Sequence, residues 1–145
     1  MPVIYRAELS DILNRWTVSV VIPVFNRQAL GERAILSACA QAIEDKEIIV
    51  VDDGSDPPFR LPPAALQSAS VRLVRHDVTC GASAARNSGI AAALGEWVAL
   101  LDSDDYWLPA TLESRRRASS HSDGRSIPRT THRAPRAYRN SFHRR

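Results

Sequence analysis

Asp102, Asp104 and Asp105, with Ser103 among them, follow directly on the apolar run Trp97 to Leu101. An unbroken run of that length reads as a buried strand, so the chain turns where the carboxylates begin. Carboxylates at i and i+2 in such a turn can converge on one small hard cation. Oxygen donors suit Mg²⁺ or Mn²⁺, which proteins hold through one or two carboxylates together with a substrate's phosphates. The same residues are also ordinary in a solvated turn, so the cluster has to be read with two others. Asp52-Asp53-Gly54-Ser55-Asp56 closes a second apolar run, and Asn26-Arg27 closes a third.

The elements that position these clusters follow from periodicity. Val18 to Phe25 is a β-branched run and predicts the first central strand. Leu30, Ala34, Ile35, Ala38, Cys39 and Ala42 recur at helical spacing. Glu47 to Val51 predicts a second buried strand ended by a turn. The proline-rich piece from Pro57 to Pro63 is irregular, with one helical turn near Ala64 to Gln67. Val71 to Arg75 alternates apolar and basic residues, as a strand nearer an edge does. Ser83 to Leu94 is alanine-rich and helical, with Gly81 before it and Gly95 after it. Trp97 to Leu101 is the fourth strand, and Pro109 suits the first turn of a short helix running into Arg115 to Arg117. Strands alternating with helices predict an α/β fold, a mostly parallel sheet with helices on both faces. Ligands bind such sheets beyond the carboxyl ends of the strands. The three polar clusters should therefore gather along one rim, where a nucleotide would sit.

Composition divides the chain of 145 residues near Glu113. Residues 1–113 carry nine Lys/Arg against fifteen Asp/Glu, whereas residues 114–145 carry ten Arg against Asp123 alone. The overall excess of base therefore belongs to the tail, and the body is acidic. The tail has no apolar period and is expected to be disordered; residues 1–16 are expected to form a partly helical leader. Cys39 and Cys80 lack metal-ligand spacing. Cys39 falls on an apolar helix face and reads as a small buried hydrophobe, and Cys80 sits in a loop. Nothing demands a disulfide, and no signal peptide or membrane-spanning run is evident, so a cytoplasmic chain is expected, peripheral to a membrane at most.

Four segments together resemble the nucleotide-sugar-binding half of a family 2 glycosyltransferase of the GT-A fold: VSVVIPVFNR (Val18 to Arg27), EIIVVDDGSD (Glu47 to Asp56), GASAARNSGI (Gly81 to Ile90) and LDSDDYWLP (Leu101 to Pro109). They cover most of residues 17–113. The resemblance implies a Rossmann-like GT-A half-domain that binds a nucleoside-diphosphate sugar, UDP-linked, with Mn²⁺ or Mg²⁺. It places Asp53 against the nucleobase, accepting a uracil imide N–H, with Asp52 beside it shaping the turn. Pro23 and Asn26 match positions lining the base pocket. Arg86 and Asn87 match the Arg-Asn step at a helix start, where a guanidinium and helix amides favour anionic groups. Asp102 and Ser103 fall to the ribose or metal shell, and Asp104 becomes the direct metal ligand. Asp105 is expected to cap the next helix or to support that shell. Tyr106 and Trp107 pack beside the sugar or in the core, and His76 receives no role. The partners implied are the donor sugar and a glycan or lipid-linked acceptor, with no specific nucleic acid.

The sequence departs from that family after Glu113. No Gln-x-x-Arg-Trp segment appears, and no residue can be nominated as the general base that inverting transfer needs. A frameshift near residues 114–118 would account for the change in composition, and a truncated enzyme would expose apolar surface and tend to aggregate. Two other classes compete: a nucleotide-binding module without catalysis, and a nucleic-acid binder acting through the arginine tail. A phosphorylation receiver fails, because the first strand ends in Asn26-Arg27 and Lys46 is the only lysine.

Overall fold

A computed structural model of the chain describes residues 16–68, 70–121 and 142–144. Five strands form one sheet in the order β3-β2-β1-β4-β5, where β1 is Val18–Val24, β2 Lys46–Asp52, β3 Val71–Arg75, β4 Trp97–Leu100 and β5 Phe142–Arg144. The first four strands run parallel, with Val20 opposite Ile48 in β2 and Ala99 in β4. The last pairs antiparallel with β4 at the edge. Helices α1 (Gln28–Cys39), α2 (Pro63–Leu66), α3 (Ala82–Ala92) and α4 (Thr111–His121) lie between or after the strands.

Helices do cover both faces. Val20, Ile22, Ile48, Val50 and Leu101 pack with Ala34 and Ile35 of α1, Ala65 of α2 and Leu112 of α4. Val21, Ile49, Val51 and Leu100 pack with Ala85 of α3 on the opposite side. Neighbouring residues of a strand point to opposite faces, so the unbroken apolar run of a doubly covered strand supplies two cores at once. β3 is the exposed edge its alternation predicts. Helix α4 crosses the boundary expected at Glu113 and continues to His121. The leader lies outside the described residues, as does most of the tail, residues 122–141. Among the described residues no helix is long and apolar enough to cross a membrane.

Helix α3 is aimed by contacts at its far end. Ser19 Oγ donates to Glu47 Oε1 at 2.5 Å, and the same carboxylate accepts the Leu94 N–H at 2.6 Å and Arg72 at 2.9 Å. Gly95 N–H donates to Ser19 Oγ at 2.8 Å. The C-terminal end of α3 is thus pinned beneath the sheet, and its N-terminal end is delivered to the rim where β1, β2 and β4 finish.

Candidate functional site: a rim of carboxylates and cations at the strand ends

The two acids that end β2 have different surroundings, because adjacent residues leaving a strand point to opposite sides. Asp52 is fully buried. Its Oδ1 accepts the Ser55 N–H and its Oδ2 the Phe59 N–H, each at 3.0 Å, and Arg75 forms an ion pair with it. Burial pushes its pKa up, but bonds from Ser55 and Phe59 and the Arg75 charge outweigh that and hold it below the usual carboxylate value. Asp52 shapes the turn from beneath.

Asp53 faces the rim, 3% exposed. Its Oδ1 accepts the Cys80 N–H at 2.9 Å and meets His76 Nδ1 at 2.7 Å. Its Oδ2 accepts the Thr79 hydroxyl at 2.9 Å and the Gly81 N–H at 2.8 Å. A carboxylate offers about four lone-pair sites, and here all four have protein donors. Burial raises its pKa, yet the Cys80 amide, His76, Thr79 and the Gly81 amide together bring it down from 3.8 to about 2. Gly54 makes this closeness feasible. It adopts φ +74°, and a Cβ there would lie 2.7 Å from the Thr79 nitrogen.

On the other side of β1, the turn after β4 carries the remaining acids. Arg86 of α3 donates to Asp102 Oδ1 at 2.7 Å, and Asp102 is largely buried. The Asp105 N–H donates to the Asp102 carbonyl at 3.0 Å, which closes the turn. Asp104 points outward, its side chain 60% exposed, and meets the exposed Arg27 at 3.5 Å. Arg33 of α1 holds the Asp104 carbonyl at 3.0 Å and lies over the Tyr106 ring. Asn26, in the left-handed region at φ 50°, ties the end of β1 to the turn after β2. Its N–H donates to Ser55 Oγ at 2.9 Å, and its Oδ1 accepts the Asp56 N–H at 2.8 Å.

The rim therefore brings together Asn26, Asp53, Arg86, Asp102, Ser103 and Asp104, near the switch point where the strand order reverses between β1 and β4. Pro23 is buried in β1 beyond its last pair with β4, and Asn87 is exposed on α3. Asp105 is no helix cap: α4 begins only at Thr111, and the Asp105 charge acts instead on Arg115. Trp107, 3% exposed, belongs to the core. Sequence reasoning missed His76, whose partners lie 12 and 23 residues away, at Ser88 and Asp53. It gave no local signal beyond standing at the end of an edge strand. The hard oxygen donors of Asp102 and Asp104 fit Mg²⁺ or Mn²⁺. The pairing that Asp104 has with Arg27, between two exposed groups, is weak enough to yield to such a cation.

Comparison with known proteins places this chain in a family. The sequence pattern described as glycosyl transferase family 2 matches residues 19–121, and the chain belongs to that family. It is 37% identical over 101 residues to the putative colanic acid biosynthesis glycosyl transferase WcaA of Escherichia coli K12, covering 68% of this chain and 36% of that protein. It is 30% identical over 101 residues to the E. coli UDP-Glc:alpha-D-GlcNAc-diphosphoundecaprenol beta-1,3-glucosyltransferase WfgD, covering 70% of this chain and 40% of that one. Among solved structures, the mannosyltransferase PcManGT of Pyrobaculum calidifontis in complex with GDP-Man and Mn²⁺ superposes with a TM-score of 0.60 at 26% identity, covering 71% of this chain and 32% of that one. The chain thus spans well under half the length of each of these proteins. The architecture is the Rossmann-like half of a GT-A fold, carried by a sequence of glycosyl transferase family 2.

Proposed function

We propose that the rim binds a UDP-sugar with Mn²⁺ or Mg²⁺ and serves glycosyl transfer to a growing or lipid-linked glycan at the cytoplasmic face of a membrane. The observation that carries this reading is the pairing of Arg86 with Asp102 and of Arg27 with Asp104 at the β1–β4 switch point. Both signs of charge stand there side by side. The carboxylates match a divalent cation, and the guanidinium groups match a diphosphate. WfgD, a UDP-Glc-dependent glucosyltransferase by name, and PcManGT, solved with GDP-Man and Mn²⁺, supply precedents for UDP-linked and GDP-linked donors and for the metal.

In this reading Asp104 and Asp102 hold the cation, which supplies Lewis-acid stabilisation of the leaving diphosphate. Arg86 of α3, held against that turn by Asp102, presents positive charge to the phosphates. Ser103 and Asn87 supply polar groups beside the ribose and phosphates. Asn26, Pro23 and Asp53 line the base pocket, and Asp52 keeps the pocket's floor rigid without touching the ligand. For Asp53 to accept a uracil imide N–H, one of its four donors must give way. The Thr79 hydroxyl is the one that can rotate aside, since two of the others are backbone amides and the third is a ring held at both nitrogens.

Calorimetric titration of UDP with and without Mn²⁺ tests the proposal. Mn²⁺ should tighten UDP binding about tenfold or more, worth about 1.4 kcal/mol, and Asp104→Ala should remove that gain. Equal Mn²⁺ dependence in Asp104→Ala overturns the metal assignment. GDP binding more tightly than UDP overturns the choice of base.

A further inference from the structure

We infer that Asp53, His76 and Cys80 form a separate site for a zinc-class cation, built between the ends of β2 and β3. It is independent of the carboxylates after β4. One ligand atom from each of the three residues lies within 4.8 Å of the others. The donors are a carboxylate oxygen, an imidazole nitrogen and a sulfur. That mixed set matches Zn²⁺, which takes O, N and S ligands in four-coordinate sites, whereas Mg²⁺ and Mn²⁺ disfavour thiolate.

Each ligand is already oriented. The Asp53 carboxylate is fixed by the Cys80 and Gly81 amides, whose positions depend on the positive φ of Gly54 and Gly81 rather than on any ion. His76 has its Nε2 held by Ser88 Oγ at 2.8 Å and its Nδ1 turned to Asp53. An outer partner on the second ring nitrogen is the usual arrangement for a metal-bound histidine, since it fixes both tautomer and ring plane. Cys80 is exposed, which leaves the sulfur side open for entry and a fourth position for water.

The exchange balances in protons and bonds. Cys80 releases its thiol proton to solvent and binds as thiolate. Without the cation the neutral His76 ring donates its Nδ1–H to Asp53 and accepts the Ser88 hydroxyl at Nε2. On binding, that proton passes by way of solvent from Nδ1 to Nε2, the Ser88 hydroxyl turns to accept it, and Nδ1 binds the cation. The hydrogen bond between Nδ1 and Asp53 Oδ1, 2.7 Å long, is replaced by two bonds to the metal. Nδ1 and Oδ1 then move to about 3.3 Å apart, as two bonds of about 2.0 Å at a tetrahedral angle require. Because Asp53 also lines the proposed base pocket, zinc and UDP should compete for it.

Co²⁺ in place of Zn²⁺ gives the test, since Co²⁺ bound to thiolate shows a sulfur-to-metal charge-transfer absorption in the near ultraviolet. The whole chain, with Mg²⁺ in excess to occupy the hard-oxygen site, should develop that band at one equivalent of Co²⁺ and lose it to added Zn²⁺. The band should persist in Cys39→Ala and Asp104→Ala and vanish in Cys80→Ser and His76→Ala. No band in the unaltered chain, or a band that survives Cys80→Ser, overturns the site. Should those variants not fold, thiol labelling of the unaltered chain decides. Zn²⁺ should slow alkylation of the exposed Cys80 at least tenfold and leave the half-buried Cys39 unchanged, and equal alkylation of Cys80 overturns the site. The donor reading stands or falls on Asp104 and UDP, so the two proposals fail separately.

Discussion

Asp53 shows how one side chain can set the behaviour of a loop. Its carboxylate gathers the amides of Cys80 and Gly81, the Thr79 hydroxyl and His76 into one arc, and in doing so fixes the start of α3 against the end of β2. The cost of burying the charge is outweighed by four donors, and the result is a folded-state pKa of about 2 against an ordinary 3.8. A carboxylate depressed in the folded state contributes stability above its unfolded pKa and loses it as pH falls through the folded one. Asp53 alone should therefore contribute about 2 kcal/mol at neutral pH, lost between about pH 4 and pH 2, and Asp52, shifted in the same direction, adds to the loss. Urea unfolding across that range should show a steep fall in stability. Asp53→Asn should be less stable at pH 7 by about 2 kcal/mol and flatter in its pH dependence; an unchanged acid profile would refute this account. Which of the two adjacent acids turned inward was not legible in the strand pattern; only the family resemblance set Asp52 in the turn and Asp53 toward the ligand. Strand alternation puts them on opposite sides, but only the arrangement of Phe59, Arg75 and His76 decides which side is floor and which is rim.

At the scale of elements, legibility followed how local the signal was. β1 and β2 announced themselves as β-branched runs, because a strand covered on both faces is apolar at every position. The alternation of β3 marked it as an edge. Helix α4 was legible only in part: Pro109 signalled a short helix into Arg115 to Arg117, whereas the helix starts at Thr111 and its continuation to His121 was hidden, because Leu112 and the buried Arg115 supply too short an apolar stripe to be seen by period. The last strand gave no signal. β5 is three residues long and owes its state to pairing with β4, a contact across more than forty residues of chain. The packing of α3 was equally hidden, since it rests on what is missing from a side chain. A Cβ on Gly89 would lie 2.2 Å from Val21 Cγ1 and 3.2 Å from Val51 Cγ2, so the helix reaches the sheet only because that residue is glycine. Gly89→Ala must push α3 outward or force Val21 from its rotamer, at a cost of about 1–3 kcal/mol. The gain in helix propensity from glycine to alanine, about 1 kcal/mol, offsets only part of it. Thermal denaturation should show a lower Tm and, because α3 carries Arg86, weaker UDP binding. A variant with unchanged Tm would mean that the helix and sheet are less closely fitted than this contact requires.

For the molecule as a whole, the arrangement separates stability from binding. The two cores and the Ser19–Glu47–Arg72 network lie in and beneath the sheet, and the rim is assembled from loops that leave β1, β2, β3 and β4 separately. A ligand that spans the ends of several strands joins loops linked, among the described residues, by hydrogen bonds such as those of Asn26 to Ser55 and Asp56 and by ion pairs such as Arg27 to Asp104. It should therefore stabilise the folded chain as a unit, by mass action on the native state. At a UDP concentration one hundred times its dissociation constant the gain is about 2.7 kcal/mol. Each kcal/mol raises Tm by about 4–8 °C in a domain of about 60–100 residues and by about 2–4 °C in one of about 150–250, so UDP with Mn²⁺ should raise Tm on the order of 10 °C. UDP at the same concentration without the metal should achieve distinctly less, and a chelator should return the difference. Asp104→Ala should melt like the unaltered chain when both are without ligand, since Asp104 is exposed and meets only the exposed Arg27 at 3.5 Å among the ion pairs described. With UDP and Mn²⁺ it should show only the shift that UDP alone produces. If Mn²⁺ instead raises the Tm of Asp104→Ala as much as that of the unaltered chain, the cation binds elsewhere on the rim, and the switch-point carboxylates are a solvated turn.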